Sequence, residues 1–140
     1  MVGLVTGLLL LGLAVGGLAV FRYQQVACLA REGARWASVH GTQYHRDTGR
    51  PTATTQDIYT NAILPVAFGM NPNQLSYSVN INNSPWTTTN CSPYHLDDQG
   101  GGVIRTITNN VTVTVTCQWQ AIGFLPAITM TSSSTVPMME

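Results

Sequence analysis

The hydrophobic pattern of the chain begins with one apolar run, from Val2 to Phe21, which contains no charged side chain. At 1.5 Å per residue the run reaches about 30 Å as a helix, which matches the hydrocarbon thickness of a bilayer. A cleaved signal peptide is the weaker interpretation, because no basic segment precedes the run and the helical pattern continues after it. Residues 2–21 are therefore predicted to form the transmembrane half of a helix.

Glycines recur in this run at spacings that suit close contact between helices. Two pairs stand four residues apart, and a further glycine follows the second pair. In an apolar medium a glycine lets two helix backbones approach closely, so the five are predicted helix–helix packing residues. Membrane helices are also enriched in glycine in general, and that explanation stays open beside the first. The five are Gly3, Gly7, Gly12, Gly16 and Gly17.

The helical pattern continues past the apolar run. From Arg22 to His40, apolar or small residues recur at spacings of three and four, which predicts an amphipathic helix over 22–40 that ends before Gly41. The whole helix would be about 58 Å long. Its small side chains form a shallow stripe that suits packing against a sheet or another helix. The predicted helix–head packing residues are Ala30, Gly33, Ala34, Trp36 and Ala37.

Residues 22–140, of which the amphipathic helix is the first part, are predicted to form a head outside the membrane. A polar loop is expected over 40–55, and a second helix over 55–69. The apolar residues of this second helix recur at helical spacing, which gives it one buried stripe. That stripe consists of Ile58, Ala62, Ile63 and Val66.

Residues typical of helix ends mark the limits of the second helix. Thr54 or Thr55 is predicted to cap it, and Asp57 lies in its first turn, where a carboxylate favours the helix dipole. Pro65 is expected to kink or interrupt the helix, and Gly69 to end it.

Alternating patterns dominate the remainder of the chain. Apolar residues alternate with Ser, Thr and Asn over 75–82, over 111–119 and over 128–138, and 103–107 is expected to extend the middle strand. Strands after helices favour an α+β fold, with an antiparallel meander as the simplest topology. We therefore predict a sheet of three to four strands within residues 75–138, packed on the long helix as in a pilin.

Composition narrows the function. Charged residues make up 9% of the chain, the formal net charge is zero, and arginine supplies every basic side chain other than histidine. A nucleic-acid-binding protein would need a basic face, so nucleic acid is excluded as a partner. The expected surroundings are membrane lipid for the apolar helix and an extracytoplasmic compartment for the polar, long-looped head.

Three cysteines allow one pair and one leftover. Cys28 lies in the helical segment, whereas Cys91 and Cys117 lie in the strand-rich half and form the possible disulfide. Three buried free thiols are the alternative.

No arrangement of side chains predicts catalysis. Two groups of histidines and carboxylates could ligate a metal, but neither has an accepted ligand spacing and each lies where loop residues are polar anyway. Neither a phosphate-binding loop nor a nucleophile motif is present in the sequence. We therefore expect no enzyme activity, no catalytic residue, no metal and no cofactor. The two groups are His40, His45 and Asp47, and His95, Asp97 and Asp98.

The order of these segments resembles the TadE-like proteins, which are minor pilin or pseudopilin-like components of bacterial tight-adherence (Tad) pilus systems. The segment AREGAR, Ala30 to Arg35, carries the resemblance most specifically. The late VTVTVTCQWQ and the final AITMTSSSTVPMM also carry it, so that the resemblance covers nearly the whole chain.

The resemblance implies a single-pass protein of the bacterial inner membrane, with a short cytoplasmic N-terminus and a periplasmic or extracellular head. It implies a structural subunit of a type IV-like pilus that contributes to pilus assembly, adhesion or secretion. Its partners would be other pilin or pseudopilin subunits and the assembly machinery, reached through an oligomeric contact of the N-terminal helix. The subunit would either enter the filament or stay in the membrane.

The chain departs from the family at its beginning. Family members usually start with basic residues, a prepilin-peptidase site and a glutamate shortly after it, whereas position five here is Val5. Either the true start lies upstream of Met1, or this member is an unprocessed anchor. Arg22 alone would place the head in the cytoplasm by the positive-inside rule, a conflict that a missing basic leader removes.

A different class of function is the alternative. A membrane-tethered binding module would recognise protein or glycan through the predicted long loop 82–102, which holds Trp86 and Tyr94. That protein would be a monomer in the membrane and would lose binding when the loop is deleted. A membrane-tethered hydrolase is the weakest interpretation, since it lacks any paired catalytic motif.

Overall fold

The computed structural model of the protein describes residues 2–98, 104–120 and 126–139. Helix α1 (Val2–Val39) runs unbroken through both halves that the sequence predicts. Short helical segments and a four-stranded antiparallel sheet follow it, so the predicted α+β class is confirmed.

The second half of α1 packs on the sheet because its inward face consists of small and aliphatic residues. At Gly33 an added Cβ would stand 3.0 Å from Cγ1 of Val113 on the sheet and 3.2 Å from Cγ1 of Ile63. A glycine therefore permits the close approach of the helix to both neighbours. The buried residues of α1 are Val26, Leu29, Ala30, Gly33, Ala34, Ala37 and Ser38.

A short helix, α2 (Thr42–Thr48), replaces part of the loop predicted over 40–55. That prediction is wrong over these residues. None of the α2 residues is buried, so no hydrophobic periodicity marks the helix in the sequence. Gly49 ends α2 in the left-handed conformation, at φ 69°, and its N–H donates to the carbonyl of His45 at 2.9 Å.

The second predicted helix changes its winding as it proceeds. It begins as α3 (Thr55–Ile58), widens into a π-helical turn (Tyr59–Ile63) and tightens into a 3-10 turn (Leu64–Val66). A π-helical turn holds more residues than an α-helical one, which rotates the following side chains about the axis. Ile63 is consequently fully buried, whereas Val66 is exposed, so the prediction that Val66 belongs to the buried stripe is wrong.

A capping box starts this helical segment. Thr54 Oγ1 accepts from the N–H of Asp57 at 3.2 Å, and the Asp57 carboxylate accepts from the N–H of Thr54 at 2.8 Å. The structure thus selects Thr54 rather than Thr55 as the cap. The expected interruption at Pro65 coincides with the 3-10 turn.

The main sheet has the order β2-β1-β5-β6, and its paired strands are antiparallel. Strand β1 is Leu75–Ile81 and β2 is Ser84–Pro85; β5 is Asn110–Trp119 and β6 is Ile128–Pro137. The three strands predicted from alternation, β1, β5 and β6, lie side by side in chain order, as a meander predicts. A 3-10 turn (Pro72–Gln74) precedes β1.

Alternation decides which face of β5 meets α1. Val111, Val113, Val115 and Cys117 are buried, whereas the threonines between them are only partly covered. Two of these threonines bond across to β6: the hydroxyl oxygens of Thr116 and Thr131 lie 3.0 Å apart, and those of Thr112 and Thr135 lie 2.8 Å apart. One face of the sheet therefore packs against α1 and forms part of the core, and the other face is polar.

A separate hairpin, which is not part of the main sheet, is formed by the chain segment that follows β2 and precedes β5. Strand β3 (Tyr94–Asp98) pairs antiparallel with β4 (Ile104–Thr108). The prediction of a loop over 82–102 is therefore wrong at β2 and β3, and residues 99–102 lie outside the described residues. The prediction that 103–107 extends the middle strand is also wrong, because β4 pairs with β3 and Asn109 separates it from β5; Val103 is not described.

The head has two ends relative to α1. At the basal end, Nη1 of Arg22 donates to the carbonyl of Gly69 at 3.0 Å. At the distal end, the N–H of Met139 donates to the carbonyl of Ser38 at 3.0 Å. The two α1 residues are separated by about 24 Å of helix, which is the height of the head along α1.

Candidate functional site

The apolar half of α1 contains no buried residue, and within it Ala19, close to the head, packs against the core. Its apolar window has a mean hydropathy of 2.4, and none of that window is buried. A core helix of a soluble protein would be covered, whereas this half projects from the head with its leucines open. Among the described residues, α1 is the one helix long and apolar enough to cross a membrane.

The glycines of this half lie open on the helix surface. A Cβ added at Gly3, Gly7, Gly12, Gly16 or Gly17 would meet no atom within 4 Å. At about 100° per residue, the first pair and the second pair face directions roughly 180° apart. The helix thus offers a small-residue face on each of two opposite sides. Their predicted role in helix–helix packing stays a prediction.

The predicted helix–head packing residues divide into two groups. Ala30, Gly33, Ala34 and Ala37 are buried against the head. Trp36 is only partly buried, and its ring stacks on that of His40 with centroids 3.8 Å apart and planes 6° apart. Trp36 therefore lies at the edge of the interface.

Trp36 also lines an open cleft in the head, with a volume of about 400 Å³. The ring of Tyr44 lies 4.7 Å from that of His40, and the guanidinium of Arg50 donates to the Tyr44 hydroxyl at 3.2 Å. Asp57 and Asn61 line the cleft as well. The cleft joins aromatic rings to hydrogen-bonding groups and is open to solvent.

The possible disulfide is wrong. The three cysteines, which all lie within the described chain, are free thiols. The carbonyl of Cys91 accepts from the N–H of Thr42 at 2.9 Å, at the distal end, whereas Cys117 lines a crevice with Arg22 at the basal end. Those ends are about 24 Å apart along α1, and a disulfide requires Cα atoms within about 7 Å.

The cysteines differ in exposure, and burial affects their reactivity. Cys28 is exposed, whereas Cys91 and Cys117 are buried. Burial raises the pKa of both buried thiols, and the charge of Arg22 offsets part of the effect at Cys117. These two thiols are therefore weak nucleophiles that act as core side chains.

The candidate metal ligands form hydrogen bonds within the chain. Nδ1 of His40 lies 2.8 Å from the carbonyl of Trp36, and Nδ1 of His45 lies 2.5 Å from the carbonyl of Arg50. His95 pairs with the side chain of Asn109. In the part of the chain that the structure describes, no three histidine, cysteine or acidic side chains converge as a metal site would require.

The aromatic residues of the predicted binding loop have different roles. Trp86 is buried, and its indole N–H donates to the carbonyl of Ala53 at 2.9 Å. Its ring is therefore a structural plug and has no face open to a ligand. Tyr94 is partly buried at the start of β3.

Asn109 is a structural residue that the sequence did not indicate. Its buried side chain accepts from Nδ2 of Asn82 at 2.6 Å and donates to the carbonyl of Ser92 at 2.8 Å. The backbone carbonyl of Asn109 accepts from the N–H of Met138 at 2.8 Å. Asn109 thus joins β1, the β3–β4 hairpin and the chain after β6. The signal available in the sequence was an asparagine pair, Asn109 and Asn110, between two alternating segments.

Comparison of this chain with models of protein families, with curated proteins and with solved structures finds no match.

Proposed function

We propose that this chain is a structural, non-enzymatic, pilin-like subunit of a bacterial tight-adherence type IV-like pilus. In this proposal α1 anchors the subunit in the inner membrane, and the head lies on the periplasmic or extracellular side. The subunit contributes to pilus assembly, adhesion or secretion through contacts with other pilin or pseudopilin subunits.

The observation that carries the proposal is the division of one continuous helix into two surfaces. The half from Val2 to Phe21 is apolar and contains no buried residue, whereas the half that contains Val26 to Ala37 packs against the sheet of the head. A soluble enzyme has no use for a bare apolar rod of about 30 Å. A subunit that is held first by lipid and then by neighbouring helices requires one.

The two opposite glycine faces give the proposal a geometric content. A helix that only dimerises needs one close-packing face, whereas a helix inside a bundle contacts neighbours on several sides. Gly3 and Gly7 would admit one neighbour, and Gly12 and Gly16 another on the far side of α1. Each α1 would then join two others in an assembly.

Cysteine cross-linking in bacterial membranes tests this arrangement. In a Cys28→Ser background, Gly7→Cys and Gly12→Cys should each form cross-links to other pilin-type helices. Leu13→Cys is the matched control, since its side chain lies between the two faces and is exposed to the same medium. Cross-links at one face alone would reduce the assembly to a dimer, and no cross-link above the control would refute the packing role.

A tethered binding module is the second candidate, and the open cleft favours it. The site would be the cleft lined by Trp36, Tyr44 and Arg50 rather than the 82–102 loop, because the ring of Trp86 is buried. Aromatic faces beside an arginine suit a glycan or a peptide. Two results together would favour this candidate over a pilus subunit. The protein would bind such a ligand and lose the binding in Tyr44→Ala, and its α1 would form no cross-link.

A further inference from the structure

Phe68 is the most exposed apolar residue of the described head. Its side chain is 87% exposed. The next residue, Gly69, accepts a hydrogen bond through its carbonyl from Arg22, which is the first charged residue after the apolar run. Phe68 therefore lies at the height where the apolar half of α1 ends.

Other aromatic and apolar side chains lie at the same end of the head. Tyr23 follows Arg22 on α1 and is exposed, and Trp119 lines a basal crevice with Arg22 and Gly69. Ile128, the partner of Trp119 in the sheet, is exposed as well. We refer to the set as the basal rim, which consists of Tyr23, Phe68, Trp119 and Ile128.

Charged residues are scarce at the end of the head where these aromatic and apolar side chains lie. No Asp, Glu, Lys or Arg occurs between Ile58 and Leu96 or between Thr106 and Met139. These segments include Phe68, Gly69 and all strands of the main sheet. Arg22 is the charged side chain at the basal end of the described head. The rim can therefore approach lipid without burying a carboxylate, and its one cation suits the phosphates of the headgroups.

We propose that the basal rim is a lipid-contacting surface, with Phe68 inserted at the boundary between headgroups and acyl chains. This inference rests on the proposed membrane anchoring by α1. Trp and Tyr side chains at the end of an apolar span prefer this interface, and the exposed Phe68 ring gains by leaving water there. The rim continues the surface of the span without a gap in height. Because α1 has no break between span and head, insertion of Phe68 fixes the tilt of the head against the bilayer.

Photocross-linking from single positions tests the proposal in the full chain, reconstituted in vesicles of phosphatidylethanolamine and phosphatidylglycerol. A benzophenone amino acid replaces Phe68, and the same amino acid replaces Leu96 in a matched variant. Leu96 is an apolar head residue that is 66% exposed and lies on the β3–β4 hairpin. The hairpin joins the distal end of the head, because the N–H of Asn109 donates to the carbonyl of Pro93 and the carbonyl of Asn109 accepts from the N–H of Met138. A third variant at Leu11, within the span, reports membrane insertion itself.

The expected result is a lipid adduct at position 68 that is comparable with that at position 11 and several-fold greater than that at position 96. Adduct at 11 but only background at 68 would overturn the rim proposal and leave the anchor intact. Lack of adduct at 11 would overturn the anchor and the rim together. Cross-links from 68 to a second copy of the chain would assign the rim to a neighbouring subunit and would also overturn the proposal.

Discussion

Substitution of Gly33 by leucine tests the packing of α1 on the head. The hydrogen of Gly33 points at Val113 and Ile63, and even a Cβ would stand 3.0 Å and 3.2 Å from their Cγ1 atoms. Both neighbours are fully buried, so neither has free space into which to withdraw. The leucine side chain would consequently separate α1 from β5.

The magnitude follows from two opposing effects. Overpacking a core costs about 1–3 kcal/mol, and a whole leucine side chain belongs at the upper end of that range. Replacing a helical glycine recovers about 0.8 kcal/mol of helix propensity. The net loss for Gly33→Leu is therefore about 2 kcal/mol, or roughly a thirtyfold shift in the unfolding equilibrium. Gly33→Ala should be close to neutral, since propensity offsets the tight contacts.

Urea unfolding of the full chain in mild detergent, followed by tryptophan fluorescence, measures the effect, because Trp36, Trp86 and Trp119 all lie in the head. Glu32→Leu is the matched control: it adds the same side chain one residue away, on the exposed face, and should change stability by less than about 0.5 kcal/mol. Equal stability of Gly33→Leu and the control would refute the close contact of α1 with β5.

Three further substitutions or treatments test other contacts of the head. Thr54→Ala should cost about 1 kcal/mol by removing the side-chain cap. It should weaken the loss of stability at acid pH without abolishing it, because the backbone N–H of residue 54, the larger cause of the lowered Asp57 pKa, still donates to the carboxylate. The bonds from Thr54 hold the pKa of Asp57 below 3.8, so their contribution is present above that pH and is lost as pH falls through the folded pKa. Asn109→Ala should cost about 1–3 kcal/mol in urea unfolding, against almost nothing for the exposed Asn73→Ala. Maleimide should label Cys28 rapidly in the folded protein and all three cysteines after denaturation without reductant; a single labelled cysteine under both conditions would contradict the free thiols.

Much of the fold was predictable because hydrophobic periodicity is a direct record of burial. The alternation of Val111 to Cys117 predicted β5 and its inward face, and the spacing of Val26 to Ala37 predicted the buried stripe of α1. Where periodicity is weak, the prediction was wrong. Helix α2 contains no buried residue, and β3 is a short polar segment whose signal resembles that of a loop. Strand β4 was predicted as a strand, but its sequence does not show that its partner is β3 rather than the main sheet.

The contacts of the candidate sites were less predictable, because they depend on distances between segments remote in sequence. Cys91 and Cys117 share a strand-rich half of the chain, yet they lie at opposite ends of the sheet. Trp86 in a polar loop predicted an exposed aromatic ring, yet Ala53 binds its indole N–H in the core. The exposed apolar half of α1, by contrast, was predictable from the composition of residues 2–21 alone.

Protease accessibility of the full chain in its bacterial membrane tests the central claim most directly. After an alkaline carbonate wash the account predicts that the intact chain, with the run from Val2 to Phe21 uncleaved, remains in the membrane fraction. In a separate experiment, proteinase added outside intact spheroplasts should digest the head and leave the apolar half of α1 protected. A soluble product that lacks the apolar run, or a head that resists the protease until the inner membrane is opened, would contradict the account.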